Sequence, residues 1–207
     1  MMLRTFGVAV TVFGCGWILM GLEIVGGRML APYFGTGIEV WGSVIGIFLA
    51  ALSLGYYLGG LLTQRFSHIV GLAGIVFLAA ASIVPVALWH PQVSDWLAAF
   101  DLHERWGSLL ASAALFLLPS LLLGMVSPFA VRLVTQRVEE VGQRAGTLYA
   151  ISTVGSFLGC LATAFYLITW IGIRKILFLS TGSLLLLAVW LLVTWYATEL
   201  PAKGEPE

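Results

Sequence analysis

Apolar residues in this chain come in six long runs that short polar stretches separate. Each run is long enough for a helix to cross the hydrocarbon core of a bilayer, which takes about 20 predominantly apolar residues. We therefore predict six transmembrane helices. Their expected bounds are about Phe6–Leu30, within Val40–Gln64, about Ile69–Trp89, within Trp106–Val131, within Ala145–Ile173 and within Ile176–Thr198.

The polar stretches differ in character. His90–Arg105 mixes apolar and charged residues, a pattern that predicts a short amphipathic helix at the membrane interface. Residues 199–207 are polar and rich in proline, and we expect this tail to be disordered. The predicted organisation is a six-helix transmembrane domain over residues 1–198, followed by the tail.

Composition supports a membrane protein. Hydrophobic residues make up 60% of the chain and charged residues 10%, whereas a soluble domain carries about 25% charged residues. The formal net charge is zero and no basic stripe is present, so nucleic-acid binding is not expected. We find no P-loop, GxGxxG or HExxH motif and no metal-ligand spacing, and we expect no cofactor and no metal.

The distribution of Lys and Arg gives the predicted orientation. With six spans both termini lie on one side, which holds six basic residues against four on the other. Because cytoplasmic loops carry the excess of Lys and Arg, we expect a cell (inner) membrane protein with both termini cytoplasmic. The six are Arg4, Arg65, Arg132, Arg137, Arg144 and Lys203.

A short motif recurs in the second and fifth spans. "GYYLGG" begins at Gly55 and "GSFLGC" begins at Gly155. If these spans correspond, the chain is a 3+3 inverted repeat, the plan of many secondary transporters, and the fold resembles half of a major facilitator fold. Coincidence is the alternative, because small residues four apart are common in membrane helices.

Glycine and proline point to close helix packing. Small residues let membrane helices approach each other, and we assign helix-packing roles to the following residues: Gly55, Gly59, Gly60, Gly155, Gly159 and Pro128. A narrow ligand path is the alternative for the glycines. Pro119 and Pro128 in the fourth span predict a kink or, alternatively, a broken helix beside a cavity.

Glu23 and Arg28 stand at the end of a long uncharged run. A charge within a membrane is costly, so such residues face the bundle interior and pair with a partner or serve a function. Three states of Glu23 are open: a protonated carboxyl, a bridge to a tyrosine, or a bound cation, for which aromatic faces supply cation–π contacts. The hypothetical substrate-binding set is Glu23, Arg28, Trp41, Tyr56 and Tyr149. A structural polar bridge is the competing role.

Three segments resemble the membrane module of the membrane-bound spermidine synthase-like proteins: Glu23–Arg65, Leu121–Val134 and Ala145–Leu167. In that family a soluble Rossmann-like aminopropyltransferase domain, which uses decarboxylated S-adenosylmethionine and putrescine, commonly follows the helices. We expect that domain to be missing here, because the sequence ends at Glu207. The resemblance implies the membrane module, and we do not expect this chain to be catalytic alone.

Three functional hypotheses follow. The first is a membrane module that supports a separate aminopropyltransferase or handles a polyamine-like or other cationic substrate. The second is a small homo-oligomeric transporter. Glu23, the possible inverted repeat and the prolines of the fourth span favour it. The third is a structural subunit of a larger membrane complex. An intramembrane enzyme is remote, since no nucleophile–base pair is visible.

Overall fold

The computed structural model describes residues 2–65, 68–100, 103–135 and 137–199, which are almost entirely helical. The helices are α1 (Met2–Phe34), α2 (Ile38–Leu62), α3 (Ile69–Ala98), α4 (Glu104–Val134), α5 (Val141–Ala162), α6 (Ile168–Trp170) and α7 (Ile173–Glu199). A 3₁₀ turn over Val138–Glu140 precedes α5, and a π-helical segment over Thr163–Leu167 joins α5 to α6. Over these residues no strand occurs, and the predicted all-α fold is confirmed.

Six helical segments are long and apolar enough to cross a membrane, so the chain is a multi-pass membrane protein, as predicted. The structure does not contain a bilayer, and the side on which the termini lie stays a prediction. The spans are Arg4–Phe34, Ile38–Leu62, Ile69–Ala98, Glu104–Val134, Val138–Trp170 and Ile173–Tyr196.

Successive spans run in opposite directions, which gives the bundle two ends. At one end the start of α1 lies beside the end of α7, where Gly7 approaches Thr194. We name this end the terminal face. At the other end the last turn of α1 reaches the start of α4, where Phe34 covers Gly107. We name this end the opposite face.

Helices α1 and α4 lie at the centre of the bundle. The other spans pack around them: α2 on α4, α5 on α1, and α3 and α7 on each other and on the central pair. Large side chains of the central helices are completely or almost completely buried, among them Leu22, Leu30, Phe116 and Phe129. Close van der Waals packing of these side chains holds the helices together inside a bilayer.

Glycines make the two closest helix crossings. Gly55 lies on the Leu121 carbonyl of α4, and a Cβ at Gly59 would lie 2.9 Å from the Met125 Cα. The same geometry recurs between α5 and α1 with four other residues. Gly155 lies on the Phe13 carbonyl, and a Cβ at Gly159 would lie 2.7 Å from the Trp17 Cα.

Pro128 belongs to the first crossing, since its Cγ would lie 2.8 Å from a Cβ at Gly59. Gly60 differs from the glycines that make the crossings. A Cβ at Gly60 would meet no heavy atom of the described residues within 4 Å, so the packing contact predicted for it is not found.

Three expectations about segments need comment. The interfacial helix predicted over 90–105 is wrong, because α3 continues to Ala98 and buries Ser94 and Leu97. Helix α4 is unbroken and contains both Pro119 and Pro128, so the broken-helix alternative is also wrong. The predicted disordered tail lies outside the described residues, apart from Glu199 at the end of α7.

Candidate functional site

A cavity of about 320 Å³ lies near the middle of four helices. We name it the central cavity. The central helices α1 and α4 form its floor, and α2 and α5 form its walls. Its lining residues are Val12, Cys15, Gly16, Leu19, Met20, Leu52, Tyr56, Leu123, Gly124, Val126, Ser127, Tyr149, Ser152, Thr153 and Ser156.

The glycine crossings create the central cavity. They hold α2 against α4 and α5 against α1, so that α2 and α5 stand on either side of the central pair. Gly16 and Gly124 supply no side chain to fill the floor between them. Ser156 fixes one wall, since its hydroxyl donates a hydrogen bond to the Gly16 carbonyl at 3.2 Å.

Hydroxyl groups give a polar lining to the central cavity, which reaches the bundle surface between α2 and α5, where Tyr56 is 48% and Tyr149 is 53% exposed. Ser127, Ser152, Thr153 and Ser156 contribute alcohols, and two tyrosines contribute phenols with aromatic faces. The Thr153 hydroxyl donates to the Tyr149 carbonyl at 2.8 Å. Among the residues that the structure describes, no Lys, Arg, Asp or Glu lines the cavity, so these walls can accept and donate hydrogen bonds without a fixed charge.

Two of the five predicted substrate-binding residues come together in this cavity, namely Tyr56 of α2 and Tyr149 of α5. Trp41 lies elsewhere: its indole packs on α1 at Gly27, where a Cβ would lie 2.7 Å from the ring. Arg28 is exposed at the same end of α1. The structure therefore divides the predicted set between the central cavity and the opposite half of the bundle.

Glu23 is half-buried on α1, beyond the central cavity. It lies seven residues after Gly16 and one turn after Leu19, so it shares the helix face that forms the cavity floor. Among the described residues, Glu23 has neither an ion pair nor a side-chain hydrogen bond. The tyrosine bridge considered for it is not formed, whereas protonation and cation binding stay open.

The serines and the threonine of the central cavity, together with Cys15, were not predicted as site residues from the sequence. A signal was present in α5, where Ser152 and Ser156 are four residues apart and therefore share a helix face. This face can be assigned to a cavity only when the crossing of α5 with α1 is known, because serine is common in membrane helices.

Further cavities surround the central helices in the described part of the chain. A groove of about 640 Å³ lies between α1, the π-helical segment and α7. A cavity of about 430 Å³ opens at the terminal face between α1 and α5, and we name it the terminal cavity. Another of similar size at the opposite face is lined by Glu39 and Arg105. In the part of the chain that the structure describes, no group of three His, Cys, Asp or Glu side chains could hold a metal.

Comparisons with protein-family models, with curated proteins and with solved structures found no match. The resemblance to the spermidine synthase-like membrane module therefore stays a prediction from the sequence.

Proposed function

We propose that the protein binds a small polar solute in the central cavity and carries it across the membrane, and that organic amines are the first class of solute to test. One observation carries the proposal: a hydroxyl-lined cavity lies near the middle of four spans. Polar groups inside a bilayer are costly and are typical of substrate pathways. Secondary transporters commonly bind their substrates at this depth, between helices of two repeats.

The walls of the central cavity favour an amine over an anion. Tyr56 and Tyr149 offer aromatic faces that attract a cation, and the alcohol oxygens accept hydrogen bonds from N–H groups. The lining residues that the structure describes include no positive side chain that would hold an anion. Glu23, one turn beyond the floor, supplies the nearest carboxylate on α1. This chemistry agrees with the cationic substrate that the sequence resemblance implies.

Binding by the purified protein tests the proposal. Thermal unfolding in mild detergent is followed with a panel of solutes: a monoamine, a diamine, a triamine, a neutral polyol and a dicarboxylate. A ligand that binds the folded state raises the unfolding temperature. We expect an amine to raise it and the dicarboxylate to have no effect.

Matched tyrosine variants locate the binding site. Tyr149→Leu removes a cavity face, whereas Tyr57→Leu removes a tyrosine that is 67% exposed and does not line the central cavity. The first variant should weaken amine binding by about 2- to 30-fold, the equivalent of about 0.5–2 kcal/mol for a cation–π contact. Equal affinities of the two variants would place the binding site elsewhere.

A second candidate function is support of a separate aminopropyltransferase. It rests on the sequence resemblance and on the exposed connection between α4 and α5, where Arg137 is exposed and Val138 is 83% exposed. Affinity purification from native membranes tests it, with Arg137→Glu/Val138→Ser as the variant. Recovery of a soluble aminopropyltransferase with the native chain, and its loss with the variant, would favour this function.

A further inference from the structure

The second and fifth spans match over a much longer stretch than the glycine motif. When residues 38–63 are paired with residues 138–163 without a gap, nine of the 26 pairs are identical. The two residues of each pair are 100 positions apart in the sequence. In the first half of the chain, the members of the identical pairs are Glu39, Gly42, Gly46, Ala50, Gly55, Leu58, Gly59, Leu61 and Thr63.

The matched residues make matched contacts. Gly55 and Gly155 each lie on a carbonyl of a central helix, and those two carbonyls, of Leu121 and Phe13, belong to antiparallel helices. Three residues further along each central helix, Gly124 faces Leu52, and Gly16 faces Ser152. The two residues that these glycines face, Leu52 and Ser152, are again 100 positions apart in the sequence.

The two helices differ in how their first halves pack. In α2, this half packs against α4, and Val40, Ser43, Val44 and Ala51 are buried, although Ser43 also lines the cavity at the opposite face. The counterparts of these four residues in the second half of the chain line the terminal cavity between α5 and α1: Glu140, Gln143, Arg144 and Ile151.

The third helices of the two halves show the same difference. When α3 and α7 are aligned at their first residues, the buried Ile75, Val76 and Ala79 of α3 correspond to residues of α7 that line the groove on α1. Those residues are Leu179, Ser180 and Ser183. Along these stretches α2 and α3 pack on α4, while the first half of α5 and the first half of α7 leave cavities beside α1.

Contacts between α2 and α4 lie between the cavity at the opposite face and the central cavity. The hydroxyls of Ser43 and Ser108 form a hydrogen bond at 2.9 Å between the first turns of α2 and α4. Deeper in the bundle, the rings of Phe48 and Phe116 pack with centroids 5.6 Å apart, and both are buried. On the other side of the central cavity, the linings of the terminal and central cavities include consecutive residues of α5, Ile151 in the first and Ser152 in the second.

We propose that α1–α3 and α4–α7 are inverted copies of one unit, and that the structure is the state in which the central cavity is reached from the terminal face. The terminal cavity is then the vestibule for the solute. Arg144 at its mouth does not repel a cation as a free charge would, because its Nε donates to Glu140 at 2.8 Å. The second state arises when α5 closes on α1 and α2 parts from α4, which exchanges the packing of the two copies.

The inference rests on the proposed function for its purpose, but its test needs no substrate. Gln143→Cys and Ser43→Cys place a thiol at equivalent positions of the two copies, in a chain that also carries Cys160→Ala and keeps the buried Cys15, and the labelling of this parent chain is subtracted. A membrane-impermeant thiol reagent is applied to spheroplasts and to inverted vesicles, which expose opposite faces. Arg137→Cys and Thr36→Cys, in exposed connections at the terminal and opposite faces, mark the two sides.

We expect Gln143→Cys to react from the same side as Arg137→Cys. Ser43→Cys should react at least about tenfold more slowly from either side, because the other state is the minor one at about 10% or less. Equal rates at positions 43 and 143, or reaction of Gln143→Cys from the Thr36 side, would overturn the inference.

A disulfide between Ser43→Cys and Ser108→Cys tests the exchange itself. The bond should form in the observed state, because the two hydroxyl oxygens already lie 2.9 Å apart. With the disulfide formed, the thiol reagent should still react at Gln143→Cys, and solute uptake should be lost. A reductant that breaks the disulfide should restore uptake. Full uptake by the oxidised protein would overturn the exchange. Absence of uptake in the native chain would instead contradict the proposed function, with the labelling result still valid.

Discussion

Gly155 of α5 lies directly on the Phe13 carbonyl of α1, with no room for a side chain between the two helices. This contact holds one wall of the central cavity against its floor. The corresponding contact of the other half of the chain, Gly55 on the Leu121 carbonyl, holds the other wall. The shape of the cavity therefore depends on two glycine positions that line up along the sequence.

Because of this crossing, alanine substitutions at two glycines of α5 should change the free energy of unfolding by very different amounts. Gly155→Ala introduces a methyl group against backbone and should lower the free energy of unfolding by about 1–3 kcal/mol. Gly146→Ala is the control, because a Cβ there meets nothing within 4 Å and alanine favours the helix. Thermal unfolding in detergent measures both. Equal unfolding temperatures for the two variants would contradict the close crossing.

Filling the central cavity should stop solute uptake and leave the fold intact. Ser127→Leu places a larger side chain in the cavity, whereas Ser53→Leu changes an exposed residue of α2 that does not line it. In reconstituted vesicles we expect Ser127→Leu to reduce amine uptake at least about tenfold, equivalent to about 1.4 kcal/mol. Comparable uptake by both variants, with both folded, would mean that the solute takes another path.

Removing the charge of Glu23 should lower amine uptake several-fold. Glu23→Gln keeps the size of the side chain and removes the carboxylate nearest the cavity floor on α1. Glu139→Gln, at an exposed position before α5, is the matched control. Uptake of a neutral polyol by the same vesicles separates an effect on charge from an effect on folding. Unchanged amine uptake in Glu23→Gln would remove this carboxylate from the mechanism.

The connection before α7 should require glycine at position 172 because of its backbone conformation and not because of packing. Gly172 has a φ of +84°, and a Cβ there would meet nothing within 4 Å. Gly172→Ala should therefore cost about 1–2 kcal/mol of stability through the left-handed conformation only. Gly182→Ala, inside α7 and also facing open space, should not destabilise the protein. If the Gly172→Ala variant unfolds at the native temperature, this connection tolerates a side chain.

The six spans could be predicted from the sequence because a bilayer requires long apolar helices, whatever their neighbours are. Their ends could not be predicted as well. Helix α3 extends through Pro91 to Ala98 and buries Leu97, although a proline lacks one helical hydrogen bond. Local polarity alone gave the wrong interfacial helix.

The candidate site was predictable only in part. Tyr56 and Tyr149 were chosen for their aromatic faces, and both line the central cavity. The hydroxyls of Ser127 and Ser152 were not predicted, since their meaning depends on which helices cross. Helix crossings follow from the contacts of small residues, and one sequence does not specify which pair of helices a glycine joins.

Uptake by purified protein in sealed vesicles tests the central claim most directly. Labelled amines of the panel are supplied outside, and accumulation is compared among vesicles that hold native protein, Tyr149→Leu, Tyr57→Leu or no protein. We predict uptake by native protein and by Tyr57→Leu, with a clear reduction in Tyr149→Leu. Uptake by native protein no faster than by empty vesicles, or equal uptake by both tyrosine variants, would contradict a solute pathway through the central cavity.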